Sequence, residues 1–374
     1  MERKYQICKR CVMDTTDPNI VFDENGICNH CTSAIERMEN VYFLSKKEKE
    51  KIILSTIEKI KKDRKGKYDC IIGLSGGVDS TYVAYLLKSW GLNPLAIHLD
   101  NGWNSELAQQ NIENTVKKLN IDLHTVVLNW DEFKELQLAF LRSSVIDLEM
   151  LSDNAILATI YKMAKKFKIK YFLDGVNQST ESIMPESWFY SLKIDTKNIK
   201  SIYKINGDGG KIKEYPFLSI IDVTKILRGN FKQFSPLNYI EYNKDEVKEF
   251  IKSELNWRDY GGKHYESRIT QFYQAYILPR KYNVDKRKAH LSSMICSKQI
   301  TRDSALEVLK TDLYDLNKLT IDRDFFCKKL GLTLDEFDSL MKCKPIAHSN
   351  YPSYLDLYKR ISKYRNFLKC KELK

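Results

Sequence analysis

Nowhere does the sequence hold an apolar run of the roughly 18 residues that a membrane-crossing helix needs. Its first residues, "MERKYQICKRC", lack the apolar core of a secretion signal. A cytoplasmic protein with no membrane part is therefore expected. The absence of internal repeats and low-complexity tracts excludes solenoids and disordered spacers. Acidic residues are in the minority, 49 against 61 Lys and Arg, for a net charge of +12 at pH 7. That excess favours anionic partners such as nucleotides, sugar phosphates or RNA. Charge alone does not choose among them, because much of a lysine excess is solvated surface. The nine cysteines are an odd number in a chain read as cytosolic, which points to metal ligands or thiols before disulfides.

What is present divides the chain into four parts: residues 1–31, 32–66, 67–258 and 259–374. The first carries "CKRC" and "CNHC", with Cys8, Cys11, Cys28 and Cys31 at the spacing of a four-thiolate zinc site. A turn at Glu24-Asn25-Gly26 predicts a small hairpin between the two knuckles, hence a zinc ribbon. So short a segment cannot bury a core, and metal would supply its folding energy. A closed four-sulfur site is structural, and His30 is read as a spectator. The second part is predicted to be a charged helical connector with Ile52, Ile53, Ile57 and Ile60 on one face.

From Asp69 short apolar runs alternate with amphipathic ones. Strands are predicted at "DCIIGL", "PLAIHLD", "LHTVVLN" and "KYFLDG", and a further unit at "SPLNYIEYNKDEVKEF". Such alternation implies right-handed βαβ units, and so a doubly wound parallel sheet in an α/β fold. Pro185 to Phe231 reads as an irregular polar insertion. The last part reads as helical, with a capping box at Thr333 and Glu336.

"CIIGLSGGVDS" joins a buried strand to a helix through two glycines, the geometry of an anion site. Ser75, Gly76, Gly77, Val78, Asp79 and Ser80 would cradle phosphates with backbone N–H groups and hydroxyls. A Walker loop would add a Lys for the γ-phosphate, and none is present. The cradle therefore suits cleavage between the α- and β-phosphates of ATP, with pyrophosphate as the leaving group and Mg²⁺ held by Asp79. The segment resembles the PP-loop of the N-type ATP pyrophosphatases, whose fold is adenine nucleotide α-hydrolase-like. That resemblance implies that His98, Leu99 and Asp100 in "AIHLDNG" bind the nucleoside. It also implies that Asp174, Gly175 and Glu181 in "FLDGVNQSTES" contribute to nucleotide, catalysis and Mg²⁺.

Three further stretches are similar to the N-acetyl sugar amidotransferase family: "CKRCVMDTTDPNIVFDENGICNHC", "WRDYGGKHYESRITQFYQ" and "RKYNVDKRKAHLSSMICSKQITRDSALE". The resemblance covers most of the chain, to about residue 310. It implies adenylation of a sugar's acetamido carbonyl by ATP and replacement of its oxygen by ammonia, giving an acetamidino sugar for lipopolysaccharide O-antigen or flagellin glycans. Lys263, His264, Glu266 and Arg268 would line the pocket for a nucleotide-linked sugar. Lys286, Arg287 and His290 would form a cationic cluster for its phosphates or for pyrophosphate, with Arg287 joining Asp79 and Asp174 as a catalytic group. The chain has no Cys after Met1 and no Gly-flanked Cys elbow for a glutaminase. A separate HisH-like glutaminase, with a HisF-like subunit, is the expected ammonia source, and no nucleic acid is expected. The rival reading is a tRNA sulfurtransferase, which would need reactive cysteines near the cradle.

Overall fold

The computed structural model describes residues 3–261 and 266–361. Five strands form one parallel sheet: β1 Cys70–Gly73, β2 Pro94–Asp100, β3 Asp122–Val127, β4 Tyr171–Leu173 and β5 Lys232–Phe234. Their order is β3-β2-β1-β4-β5. Parallel strands are covered on both faces, which is why β1 and β2 are apolar without alternation. Cys70, Ile71, Ile72, Leu95, Ala96 and Ile97 are all buried. Ile71 pairs with Leu95 on one side and Phe172 on the other. The order reverses between β1 and β4, and open α/β sheets bind ligands in the crevice beyond that reversal.

The helices Val78–Ser89, Glu106–Leu119, Trp130–Ser143 and Met150–Lys166 stand where the alternation predicts them. Ser105 and Asn129 cap two of these by accepting from Ala108 N and Glu132 N. Three expectations are corrected. The further unit begins before "SPLNYIEY", at β5, "KQF", which is too short and polar to announce itself, and Pro236–Tyr239 is a 3-10 turn. The insertion is not irregular throughout: it contains helices Thr196–Asn206 and Ile220–Leu227, capped by Asp195 and Ser219. The connector is two helices, Asn29–Glu39 and Lys46–Asp63, the second opened by a Ser45–Glu48 capping box. Of its isoleucine stripe only Ile60 is fully buried.

The N-terminal hairpin forms, with Phe22 bridged to Cys28 and Gly26 at φ 77°. It does not stand apart. Cys31, Ala34 and Met38 belong to the same core as Leu136, Trp188, Phe272 and Phe326. The C-terminal region supplies helices Lys286–Cys296, Arg302–Lys310, Leu316–Leu330 and Leu334–Lys342. The first of them is not a solvated basic rod. Its Ser292 accepts from Val12 N at 3.2 Å and its Ser293 from Ile183 N at 2.9 Å. Just beyond its end, Ser297 donates to Ser179 O at 2.9 Å. The helix thus ties the cysteine segment to the turn after β4. No helix among the described residues is long and apolar enough to cross a membrane.

Near the C-terminal end of the described chain, His348 is buried against Tyr190, with ring centroids 4.6 Å apart. Its Nδ1 donates to Asn198 Oδ1 at 2.8 Å. Burial depresses its pKa from 6.5 to about 4. The unfolded chain therefore binds a proton that the folded chain refuses. The stabilisation is complete above pH 6.5 and is lost as pH falls toward 4, by about 3 kcal/mol from this one group. Chemical denaturation of wild type and His348→Phe across that window should show the wild-type slope flattened in the variant. An unchanged slope would dismiss His348 as its source.

Candidate active site

The cradle is built by close approach. Gly76 has φ 79°, and a Cβ there would lie 2.4 Å from Ala108 O. A Cβ on Gly77 would meet Ser75 Oγ at 3.2 Å and Tyr260 Oη at 3.3 Å. One on Gly175 would lie 2.8 Å from the Asp79 Cβ, so the β4 turn packs directly on the cradle helix. Ser75 and Ser80 hydroxyls stand 3.1 Å apart, and Gly77 N donates to Ser75 Oγ at 3.3 Å. Trp257 Nε1 donates to Gly76 O at 2.8 Å and fixes the loop from behind. The N–H groups are thereby pre-aimed for an anion at the positive end of the Val78–Ser89 helix.

Two adjoining cavities share Ser75 and Glu266. The smaller, about 230 Å³, is walled by Gly77, Asp79, Ser80, Glu181, Lys244 and Tyr260. Tyr242 donates its hydroxyl to Asp79 Oδ1. Burial, then the Asp79 charge, pushes that phenol far above its usual range. Tyr242 is thus a permanent donor that orients the carboxylate. Asp79 and Glu181 in one phosphate-sized space fit a divalent cation, which takes one or two carboxylates and completes its shell with phosphate oxygens. Lys244, which no motif flagged, brings to this space the positive charge that the loop itself lacks.

The larger cavity, about 440 Å³, opens beyond the strand ends at the β1/β4 reversal. Gly73, Ile97, Ile160 and Phe172 make one end apolar, beside His98 and Leu99. His98 Nδ1 donates to Leu74 O at 3.0 Å, leaving Nε2 to accept from Asn104 at 3.2 Å. Burial lowers the pKa of His98, so the ring is neutral. This end suits a nucleobase.

Other expected residues are mostly engaged in pairs of their own. Asp100 accepts from Gly102 N and Asn104 Nδ2, which makes it a turn former behind the cavity. Asp174 accepts from Ser235 Oγ at 2.6 Å, Val176 N at 3.1 Å and Gln233, holding the β4 turn. Burial raises it and those donors oppose the rise. Arg287 lines neither cavity: it is bound by Asp285 at 2.9 Å and donates to Thr311 O at 2.8 Å, at the end of helix Arg302–Lys310. Arg268 stacks on Phe325 and pairs with Asp322 at 2.9 Å. Lys286 reaches the large cavity, but Glu149 neutralises it at 2.8 Å. His290 Nδ1 stands 3.1 Å from Thr180 O, buttressing the helix that carries Glu181. The expected cationic cluster is therefore dissolved into separate pairs. Lys263 and His264 lie outside the described residues.

Cys8, Cys11, Cys28 and Cys31 are fully buried and their sulfurs lie within 4.8 Å of one another. Cys8 and Cys31 sulfurs are 3.8 Å apart, Cys11 and Cys28 sulfurs 3.7 Å. A tetrahedron with metal–sulfur bonds of about 2.3 Å has edges of about 3.8 Å, so the set fits one four-coordinate ion. Arg302 donates to Cys8 O and Cys11 O at 3.0–3.2 Å, clamping the first knuckle. His30 is outside the set, paired with Asp17 at 2.6 Å.

Residues 49–154 match the NAD synthase family, and residues 266–365 match the family described as LPS biosynthesis protein WbpG-like, C-terminal domain. An uncharacterized protein of Methanocaldococcus jannaschii is 30% identical over 170 residues, 45% of this chain and 58% of that one. A glutamine-hydrolyzing GMP synthase of Thermosipho africanus is 44% identical over 72 residues, 18% of this chain and 14% of that one. The chain thus spans little more than half of the first relative and a small part of the second. The NH3-dependent NAD synthetase of Campylobacter jejuni overlays 73% of this chain and 100% of its own, at 12% identity and a TM-score of 0.35. That overlay is too loose to argue from. The matched segments are another matter: the chain joins a PP-loop segment similar to NAD synthases, cradle included, to a C-terminal segment similar to the WbpG-like LPS biosynthesis domain.

Proposed function

We propose that the chain is an ATP-dependent amidotransferase acting on an N-acetyl sugar for lipopolysaccharide biosynthesis. One observation carries this reading. The 440 Å³ cavity is lined jointly by the NAD-synthase-like segment, through Leu148 and Ser152, and by the WbpG-like segment, through Thr270 and Gln274. Nucleotide activation and acceptor recognition then share one chamber. The acetamido oxygen attacks the α-phosphorus, the α–β bridge breaks, and pyrophosphate leaves into the cradle of Ser75, Gly77 and Ser80. Ammonia adds to the imidate carbon of the adenylylated sugar. The carbon–oxygen bond then breaks, AMP departs, and the amidine leaves protonated. Asp79 and Glu181 would hold Mg²⁺, which supplies charge neutralisation at the phosphates. The four cysteines would hold zinc in a structural role.

The test is incubation with ATP, Mg²⁺, ammonium and a panel of UDP- and CMP-linked N-acetyl sugars. Stoichiometric AMP and a product with oxygen exchanged for NH are expected; AMP formation that ignores every sugar overturns the reading. Among the described residues no thiol stands where the sulfurtransferase alternative needs one. Cys70 is at the far end of β1 from Ser75, Cys296 is buried near Cys31, and no described cysteine lines either cavity.

No glutaminase constellation is read in the chain, so a separate HisH-like glutaminase, together with a HisF-like subunit, would deliver the ammonia. Purified alone, the protein should use ammonium, while glutamine supports turnover no better than the no-donor control. Glutamate release by the isolated chain would remove the need for that partner.

A further inference from the structure

Of the two described residues that line both cavities, Ser75 and Glu266, only Glu266 is ionisable. The other carboxylates keep to one side. Asp79 and Glu181 wall only the smaller space, and Glu149 and Asp153 only the larger. The backbone pins Glu266 at the junction. Its carbonyl accepts from Ser105 N at 2.9 Å, Ser267 is bridged to Asn104, and Arg268 N donates to Trp103 O at 3.0 Å. The start of the WbpG-like segment is thus held on the turn after β2. Glu266 Oε2 is turned into the protein, whereas Oε1 faces the cradle. A Cβ on Gly77 would lie 3.6 Å from Oε1 and 3.3 Å from the Tyr260 hydroxyl. Tyr260 hydrogen-bonds to Glu266, and burial, then that carboxylate's charge, hold its phenol far above its usual range. It is a standing donor that orients the carboxylate.

With the nucleobase in the apolar end of the larger cavity and pyrophosphate in the cradle, the α-phosphorus falls where the two spaces meet. The reaction needs a base at that point. Attack through the acetamido oxygen leaves the amide N–H in place, so the adenylylated imidate is a cation. Ammonia gives its electron pair to the imidate carbon and becomes an NH₃⁺ group. If AMP left from that species it would leave a dication behind. One proton must therefore come off the new nitrogen as the carbon–oxygen bond breaks.

We propose that Glu266 is the catalytic base of the amination step: its carboxylate takes that proton from the new nitrogen and passes it to the departing AMP oxygen. The bonding pair leaves with AMP, and the product keeps a single positive charge as an amidinium. This rests on the amidotransferase reading and adds to it the residue that commits the adenylylated sugar to nitrogen. The position also explains why the base comes from the WbpG-like segment. The nucleotide-activating segment needs no base for pyrophosphate release, and the amination does.

The test separates the two half-reactions in the full-length protein. Single turnovers with ATP, Mg²⁺ and the panel of UDP- and CMP-linked N-acetyl sugars are followed without and with ammonium. Glu266→Gln keeps an acceptor for the Tyr260 hydroxyl, and without ammonium it should release pyrophosphate as wild type does. With ammonium its amidine formation should fall about 100- to 10,000-fold, the share of a positioned proton acceptor, and the adenylylated sugar should accumulate. Formate should restore part of the rate to Glu266→Ala in proportion to its concentration, which a merely structural carboxylate would not allow. Two results overturn the base and leave the amidotransferase reading intact: amidine formation by Glu266→Gln at the wild-type rate, or loss of pyrophosphate release with no rescue by formate. Wild type that makes no amidine from any sugar of the panel overturns the reading, and the base with it.

Discussion

Cys28→Ser protein is expected to come out of the cell insoluble, or soluble without zinc and with its cooperative thermal transition lost. Four thiols with no exposed surface share one small volume, and the ion they fit supplies about 10–16 kcal/mol of folding free energy in small zinc-binding peptides. A whole domain is held by only about 5–15 kcal/mol. The loss is not confined to the ribbon, because Cys8, Cys11 and Cys31 lie in the same core as Phe272 and Phe326. Cys343→Ser, at an exposed position, is the matched control and should behave as wild type. Elemental analysis and calorimetry decide it: a metal-free Cys28→Ser protein with a wild-type transition would remove the metal from the account of folding.

Gly76→Ala and Asp79→Asn are expected to stop AMP formation while the protein stays folded. Alanine at position 76 must adopt a backbone conformation suited to glycine, with its methyl group inside contact distance of the Ala108 carbonyl. The loop has to move, and misplacement of about 1 Å at a reacting centre costs on the order of 100-fold. Asparagine at 79 still accepts the Tyr242 hydroxyl, so no buried phenol is orphaned, but the charge that would hold Mg²⁺ is gone. Loss of one such electrostatic contact costs on the order of 100- to 1000-fold. Single-turnover AMP release, read beside circular dichroism, tests both variants. Turnover at the wild-type rate in both would discard the cradle as the site of pyrophosphate release.

How legible each feature is depends on whether its cause is local. A buried strand, two glycines and a helix start occupy one dozen residues, so the cradle can be read directly, and so can four cysteines in two knuckles. β5 cannot, because "KQF" has neither apolar weight nor a turn signal, and only the neighbouring β4 makes it a strand. Arg268 reads as a pocket residue and Arg287 as a catalytic group because a cation near a motif looks the same whether it faces a ligand or a carboxylate. The structure supplies Asp322 and Asp285 as their partners. Trp257, Tyr242 and Lys244 act on a loop far away in sequence, and no spacing rule connects them to it. Glu149 and Asp153 stand at a helix start, where acidic residues are ordinary.

The clamp of Arg302 and Ser292 on the first knuckle implies a chronology. Cys8 and Cys11 leave the ribosome early, and the helices that shield them are made almost last. At about 5–20 residues per second, the thiols wait roughly 15–60 s with no shelter, open to oxidants and to whichever metal is in supply. The finished cluster then has no exposed surface through which an ion held there would exchange. Metal shortage should therefore damage chains during synthesis and spare the stock already folded, so its effect on a cell would follow the rate of new protein production and not the amount present.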